Sequence, residues 1–119
     1  MMALHAADGG GRPVALSSLT PRVAWPPQRE GTRQLIEDIQ ANGMRSPIKT
    51  YDMKPSAYRS FVKRKPHRQA WQRPDSIQPD GSVRVVEVGN QRYAAALHLG
   101  YTHIDARHFK TLQELKRCE

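Results

Sequence analysis

The sequence predicts a small α/β (α+β) fold in which helices pack against a mixed sheet. Strand-like and helix-like segments alternate along the chain in the order β, α, β, basic insertion, β, α, β, α, which is typical of this class. The length of 119 residues suits one domain, and an apolar content of 38% supports a modest core. We therefore expect a flexible tail at residues 1 to 12, and one domain at residues 13 to 119 with a basic insertion at 54 to 82.

The first half of the chain gives four predicted elements. Residues 13 to 19 form a strand candidate, and the consecutive prolines of Trp25-Pro26-Pro27-Gln28 predict a loop. A helix is predicted over residues 32 to 42, because Thr32 is a good N-terminal cap and Asn42-Gly43 a typical stop. Residues 46 to 53 read as a strand. The apolar stripe of the helix consists of Leu35, Ile36 and Ile39.

The second half is also divided by proline, glycine and capping signals. A short helix is predicted between Pro55 and Pro66, and Asp80-Gly81 predicts a hairpin turn. Thr111 and Glu114 have the spacing of a capping box, which predicts the start of a C-terminal helix. The remaining elements are a strand at Val83–Val88, a helix at residues 90 to 99 that Gly100 ends, and a strand at His103–Phe109.

The formal net charge of +8 favours polyanionic partners. Residues 54 to 74 contain seven Lys or Arg and no acid, with aromatic residues between them, and this pattern favours contact with a nucleic acid backbone. The alternative is that the aromatic residues anchor the insertion and the cations form a solvated surface. The predicted nucleic-acid-binding residues are Lys54, Arg59, Lys63, Arg64, Lys65, Arg68, Trp71 and Arg73.

A phosphate-binding turn is predicted at Gly89-Asn90-Gln91-Arg92, where a strand runs directly into a helix. The first N–H groups of a helix have no partner within it, and the helix dipole adds positive charge there. Glycine allows a ligand close to the backbone, and Arg92 in the first turn adds a permanent charge. Together these features favour a phosphate group.

Residues 85 to 101 resemble the signature of the ParB/sulfiredoxin superfamily, in which a strand leads into Gly-x-x-Arg, an Ala-rich helix and Leu-Gly. The stretch Pro27-Gln28-Arg29, the helix that follows it and Ser46-Pro47-Ile48 are similar to the upstream part of ParB proteins. The resemblance covers about residues 13 to 109 apart from the insertion. It implies that Gln28, Arg29 and the turn bind nucleotide phosphates, with a nucleoside triphosphate and magnesium as the ligand.

This chain departs from the ParB pattern inside the turn. Asn90 stands where the family has a Glu that helps to hold the metal, and Gln91 and Ala94 replace two arginines. Sulfiredoxins carry their reactive Cys at the place of Asn90, so that chemistry is not expected. A related kinase branch uses a Glu near the first box, and Glu30 is the corresponding candidate catalytic residue.

Two functions follow as alternatives. One is a nucleic-acid-associated module that binds phosphate at the turn and DNA or RNA through the insertion. The other is an enzyme, a ParB-like nuclease or NTP hydrolase, with Glu30 or Asp52 as the acid. No protein-held metal site is expected, because the histidines lack ligand spacing. With no signal peptide, no membrane-length apolar run and a lone Cys118, we expect a cytoplasmic protein, of a kind that suits a phage or mobile element.

Overall fold

The computed structural model describes residues 2 to 118, in which the longer strands contribute apolar residues to both faces of the sheet and helices cover both faces. The predicted α/β class is confirmed. No helix in this range is both long enough and apolar enough to cross a membrane. The elements are β1 (Ala3–Leu4), β2 (Arg12–Ala15), β3 (Thr20–Pro21), α1 (Glu30–Asn42), β4 (Ile48–Met53), α2 (Pro55–Arg64), β5 (Val83–Val88), α3 (Asn90–His98), β6 (His103–Phe109) and α4 (Leu112–Arg117).

The sheet is mixed, as the alternating element order predicts. Its strand order is β1-β6-β4-β5-β3, and β2 also pairs with β6. The β4–β6, β1–β6 and β3–β5 pairs are parallel, whereas β4–β5 and β2–β6 are antiparallel. Because β4 and β5 run in opposite directions, the start of β4 lies beside the end of β5, where the predicted phosphate-binding turn begins.

Two apolar clusters fill the two sides of the sheet. Val85 and Val86 are neighbours on β5 and belong to different clusters, which is the alternation that a sheet covered on both faces requires. The first cluster contains residues of α1 and α3, including Ile36, Ile39 and Tyr93. The second contains residues of α2 and α4, including Tyr58, Phe61 and Leu115.

The expected strand at residues 13 to 19 is shorter than predicted. Strand β2 ends at Ala15, a turn of 3-10 helix occupies Leu16–Ser18, and β3 follows at Thr20–Pro21. The Ser18 hydroxyl donates to the Ala15 carbonyl at 2.7 Å, and the Leu19 N–H donates to the Leu16 carbonyl at 3.2 Å. These local bonds turn the chain from β6 to the opposite edge of the sheet.

The helix caps agree with the sequence at one helix and differ at another. Thr111 caps α4 by accepting from the Glu114 N–H at 3.2 Å, as the capping box predicts. Helix α1 instead begins at Glu30 with Arg29 at the cap position, two residues before the predicted start. Thr32 therefore lies inside the first turn, where it is fully buried.

Part of the expected tail at residues 1 to 12 is packed against the domain, at residues 3 to 6. Leu4 and Ala6 are buried in the first cluster, and β1 pairs with β6. Asp105, a buried carboxylate of β6, explains this, because its Oδ2 accepts from the Ala6 N–H at 2.8 Å and its Oδ1 lies 3.0 Å from His5 Nδ1. Desolvating a carboxylate requires such partners, and among residues 2 to 118 the side-chain oxygens of Asp105 find them in His5 and Ala6.

Candidate functional site

The predicted turn begins at Gly89, which connects β5 to α3 in a left-handed conformation with φ of +99°. A Cβ atom at this position would lie 2.5 Å from Ile48 Cγ2 and 3.1 Å from Arg92 Nη2. Both the backbone angle and the space therefore require glycine. The result is that the first turn of α3 lies against the start of β4.

The start of α3 presents backbone donors to a cavity. The first bond of the helix runs from the Tyr93 N–H to the Gly89 carbonyl at 2.9 Å, so the three preceding N–H groups have no partner in the helix. Within residues 2 to 118, no side chain caps this helix start. A cavity of about 430 Å³ is lined by residues 89 to 92 together with Val23, Trp25 and Leu35.

The Asn90 side chain is used within the protein. Its Oδ1 accepts from the N–H groups of Arg22 at 2.8 Å and Val23 at 3.3 Å, and its Nδ2 donates to the Val86 carbonyl at 3.0 Å. Asn90 thus holds the loop after β3 against the turn, and only its N–H group remains for a ligand. The turn also contains no carboxylate that could bind a magnesium ion. The residues present therefore do not fit the metal site that the resemblance implies.

Arg92 extends from α3 to the start of β4. Its Nη1 donates to the carbonyl of Ser46 and lies 3.5 Å from the carbonyl of Pro47. Burial lowers the pKa of Arg92, and the Asp8 carboxylate acts in the opposite direction, but a guanidinium stays charged under these conditions. None of the ion pairs formed by residues 2 to 118 includes Arg92.

The structure brings the first predicted box close to the turn. A Cβ on Gly31 would lie 3.2 Å from Gln91 Nε2, so the starts of α1 and α3 are neighbours. Gln28, Arg29 and Glu30 are all exposed at the start of α1. The Arg29 guanidinium stacks 4.7 Å from the centre of the Trp25 ring, and the Glu30 carboxylate lies 3.5 Å from the Gln34 amide nitrogen.

Asp52, the second candidate acid, is not at the turn. It pairs with Arg84 across β4 and β5, whereas the strand partner of Lys49 is Val88, next to Gly89. Three residues of β4 therefore separate Asp52 from the level of the turn, which is about 10 Å along a strand. Its carboxylate lies 3.1 Å from Arg84 Nε and 3.2 Å from His108 Nε2.

His108 completes a polar cluster that the sequence analysis missed. Its Nδ1 lies 2.9 Å from the hydroxyl of Thr50, so both ring nitrogens have partners. Burial lowers the pKa of His108 and the Arg84 charge lowers it further, while Asp52 opposes both. The available signal was the two-residue spacing of Thr50 and Asp52 on one strand face, but their partner strands could not be assigned from sequence.

The aromatic residues of the basic insertion differ in their environment. Tyr58 and Phe61 are buried, which agrees with the alternative that aromatics anchor the insertion. The Arg68 guanidinium stacks 4.0 Å from the Phe61 ring centre and donates to the Phe61 carbonyl at 3.0 Å. Trp71 is only partly buried, with its ring centre 5.3 Å from that of His67. Trp71 is thus the aromatic residue that remains accessible for stacking.

The predicted nucleic-acid-binding cations divide into two groups. Arg68 and Arg73 are partly buried, and the Arg73 N–H donates to the Thr20 hydroxyl at 3.0 Å, so these two residues help to fix the insertion. The others point to solvent on or beside α2. These exposed cations are Lys54, Arg59, Lys63, Arg64 and Lys65.

Across residues 2 to 118, no three His, Cys, Asp or Glu side chains lie close enough together to share a metal ion. In the comparisons with known proteins, no family model and no curated protein matches this chain.

Proposed function

We propose that this protein binds phosphate groups of nucleotides or nucleic acids at the start of α3, and that the exposed cations of the insertion contact a nucleic acid backbone. The observation that carries the proposal is the pairing of uncapped N–H donors with Arg92 at one cavity. Arg92 has no carboxylate partner within the described chain. A phosphate group would supply negative charge beside Arg92, and its oxygens would accept hydrogen bonds from the N–H groups.

The geometry favours an oxyanion over a neutral ligand. A half-buried cation and the positive end of a helix dipole both favour negative charge at the same place. Gly89 has no side chain to block the approach of a ligand to the backbone. A guanidinium can also donate two parallel bonds to one phosphate, which a lysine cannot do.

The insertion lies next to this turn because Arg22 connects them. The Arg22 N–H donates to Asn90 Oδ1 at 2.8 Å, while its guanidinium lies 5.2 Å from the centre of the Phe61 ring. The Arg22 guanidinium also pairs with Glu87, so Arg22 joins the turn to the insertion as a structural contact and not as an unpaired cation. The exposed cations of α2 favour a nucleic acid strand as a further ligand, with contact through the backbone rather than through base edges.

The proposal includes the family suggested by the sequence, a stand-alone divergent member of the ParB/sulfiredoxin superfamily. The residues that carry this resemblance, Pro27-Gln28-Arg29 and Gly89 to Arg92, lie at the adjacent starts of α1 and α3. Their proximity supports the proposal. We propose binding rather than hydrolysis, since the turn supplies no carboxylate and Asp52 is engaged by Arg84 and His108.

Calorimetric titration with the four NTPs, with and without magnesium, tests the phosphate site. We expect Arg92→Ala to abolish nucleotide binding, and Arg92→Lys to retain only part of it because the fork of donors is lost. Arg33→Ala, an exposed arginine of α1, is the matched control and should bind like the original protein. Unchanged affinity in a folded Arg92→Ala variant would reject the site. A nucleotide hydrolysis and plasmid-nicking assay on the same samples separates binding from catalysis.

A further inference from the structure

We infer that Lys49 and Arg107 form a second phosphate subsite beside Arg92, so that the ligand carries at least two linked phosphate groups. This inference rests on the proposed function, because it assigns the neighbour of the phosphate bound at the start of α3. Neither Lys49 nor Arg107 belongs to the turn, the first box or the basic insertion. Strand register places the two cations together, and a cavity joins them to Arg92.

Strand pairing places the two cations side by side. Lys49 of β4 and Arg107 of β6 are direct partners in the parallel ladder, so their side chains leave the sheet on the same face. Like charges at directly opposed positions destabilise a sheet. Folding alone gives no reason for this pair, and an anion bound between them would remove the repulsion.

No carboxylate lies within ion-pair distance of these cations in the described chain. The ion pairs of residues 2 to 118 involve His5, Arg22, Arg84 and His108 as the basic partners, and not Lys49 or Arg107. The Arg107 guanidinium stacks 5.5 Å from the centre of the Phe109 ring, which orients it without cancelling its charge. Both cations thus keep their capacity for an anionic ligand.

A cavity of about 570 Å³ joins this pair to Arg92. Arg92 also lines the cavity at the start of α3, so it is shared by the two spaces. The other side chains around the larger cavity are neutral or apolar, apart from the carboxylate of Asp8. Three cations against one acid give the cavity a positive potential that suits a phosphate group.

The N-terminal glycine run passes beside this cavity and contributes one residue to its lining. A Cβ on Gly11 would lie 2.7 Å from Pro47 Cβ and 3.0 Å from the Ala106 carbonyl, so the backbone passes close to β4 and β6. Gly10 lines the cavity, and its own Cβ position lies 3.5 Å from Arg107 Cδ. Gly10 therefore forms part of the cavity wall, and the close approach at Gly11 holds the backbone against β4 and β6.

Linked phosphates are the ligand chemistry that fits two adjoining cationic cavities. One phosphate can occupy the start of α3, and the next can reach Lys49 and Arg107, with Arg92 contacting both. A single phosphate can occupy only one of the two spaces. Nucleoside diphosphates or triphosphates and nucleic acid strands share this chemistry.

Calorimetric titration with inorganic phosphate and with pyrophosphate tests the inference. The original protein should bind pyrophosphate more tightly, and a Lys49→Gln/Arg107→Gln double variant should lose about tenfold or more of that affinity, with phosphate binding retained. Lys116→Gln/Arg117→Gln removes two exposed cations from α4 and is the matched control. Asp8→Asn removes the acid of the cavity and should strengthen pyrophosphate binding, which damage to the fold would not do.

The outcomes separate this inference from the proposed function. Absence of phosphate binding to the original protein would overturn both. Phosphate binding without a pyrophosphate advantage, or an equal loss in the α4 control, would overturn the second subsite alone. Titrations of the double variant with ADP and with a short single-stranded oligonucleotide then distinguish the sources. A loss for ADP supports a nucleotide, a loss for the oligonucleotide supports a strand, and no loss for either overturns the subsite.

Discussion

At the residue scale, the turn after β5 assigns a different task to each neighbouring position. Gly89 provides the conformation and the space, Asn90 fixes the loop after β3, and Arg92 provides charge. The sequence alone was sufficient to locate the turn, because glycine between a strand and a helix has a clear physical reason. It could not assign the Asn90 side chain, because the two N–H groups that donate to its Oδ1 lie 67 and 68 positions away in the chain.

Gly89→Ala should destabilise the fold more than a glycine replacement elsewhere. The left-handed backbone costs about 1–2 kcal/mol for alanine. The new methyl group would also meet Ile48 Cγ2 at 2.5 Å, and overpacking of this kind costs about 1–3 kcal/mol more. Gly100→Ala is the control, because φ there is +83° but no atom lies within 4 Å of a Cβ. If urea unfolding showed that both variants lose the same free energy of unfolding, that result would contradict the close packing of the turn on β4.

The pH dependence of stability should include a contribution from His108. Burial and the Arg84 charge lower the pKa of His108 below its ordinary value of 6.5, with Asp52 opposing. The unfolded chain then binds a proton first, so this contribution is complete above about pH 6.5 and is lost as the pH falls below it. We expect His108→Gln to reduce the pH dependence of the free energy of unfolding between about pH 7 and pH 5. An unchanged pH slope in urea titrations would show that His108 is not desolvated.

At the element scale, prediction succeeded where the chain contains its own boundaries. Pro55 and the capping residue Thr111 fix the starts of α2 and α4, and β5 and β6 have the predicted bounds. It failed where distant partners decide the structure. Strand β1 forms because it pairs with β6 and because the buried Asp105 holds the next residues, His5 and Ala6, and nothing in its own sequence indicates this. Thr32 is a residue type that commonly caps helices, yet here it is buried inside the first turn of α1.

The packing of the N-terminal segment can be tested at Leu4. Its side chain is 3% exposed in the first apolar cluster, so Leu4→Ala should cost about 2–5 kcal/mol of unfolding free energy. Met2 is 49% exposed, and Met2→Ala should change stability by no more than about 0.5 kcal/mol. If denaturant titrations showed that Leu4→Ala lowers the free energy of unfolding by less than that limit, the N-terminal segment would be a flexible tail after all.

At the scale of the whole molecule, charge is distributed over both sides of the sheet. The helix starts of α1 and α3 lie on one side, and the exposed cations of α2 lie on the other, with Arg22 between them. Composition was enough to predict a preference for polyanions from the net charge of +8. The register that opposes Lys49 and Arg107 could not be predicted, because pairing of β4 with β6 joins segments more than 50 residues apart.

The salt dependence of nucleic acid binding should depend on the exposed cations of the insertion. Replacing Lys63, Arg64 and Lys65 by Gln should flatten the slope of log K against log salt by about 2–3, if each cation contacts one phosphate. The control replaces three dispersed, exposed cations, Arg12, Arg33 and Arg117, and removes the same total charge. Equal slopes for the two triple variants in fluorescence anisotropy titrations would show that the insertion does not contact the nucleic acid.

The most direct test of the account is a titration of the isotopically labelled protein with pyrophosphate, followed by the amide resonances in NMR spectra. We predict that the amide signals of residues 90 to 92 shift most and saturate together, because their N–H groups donate to the bound phosphate. Saturable shifts confined to other parts of the chain, or no saturable shift at these three amides, would contradict the phosphate site at the start of α3.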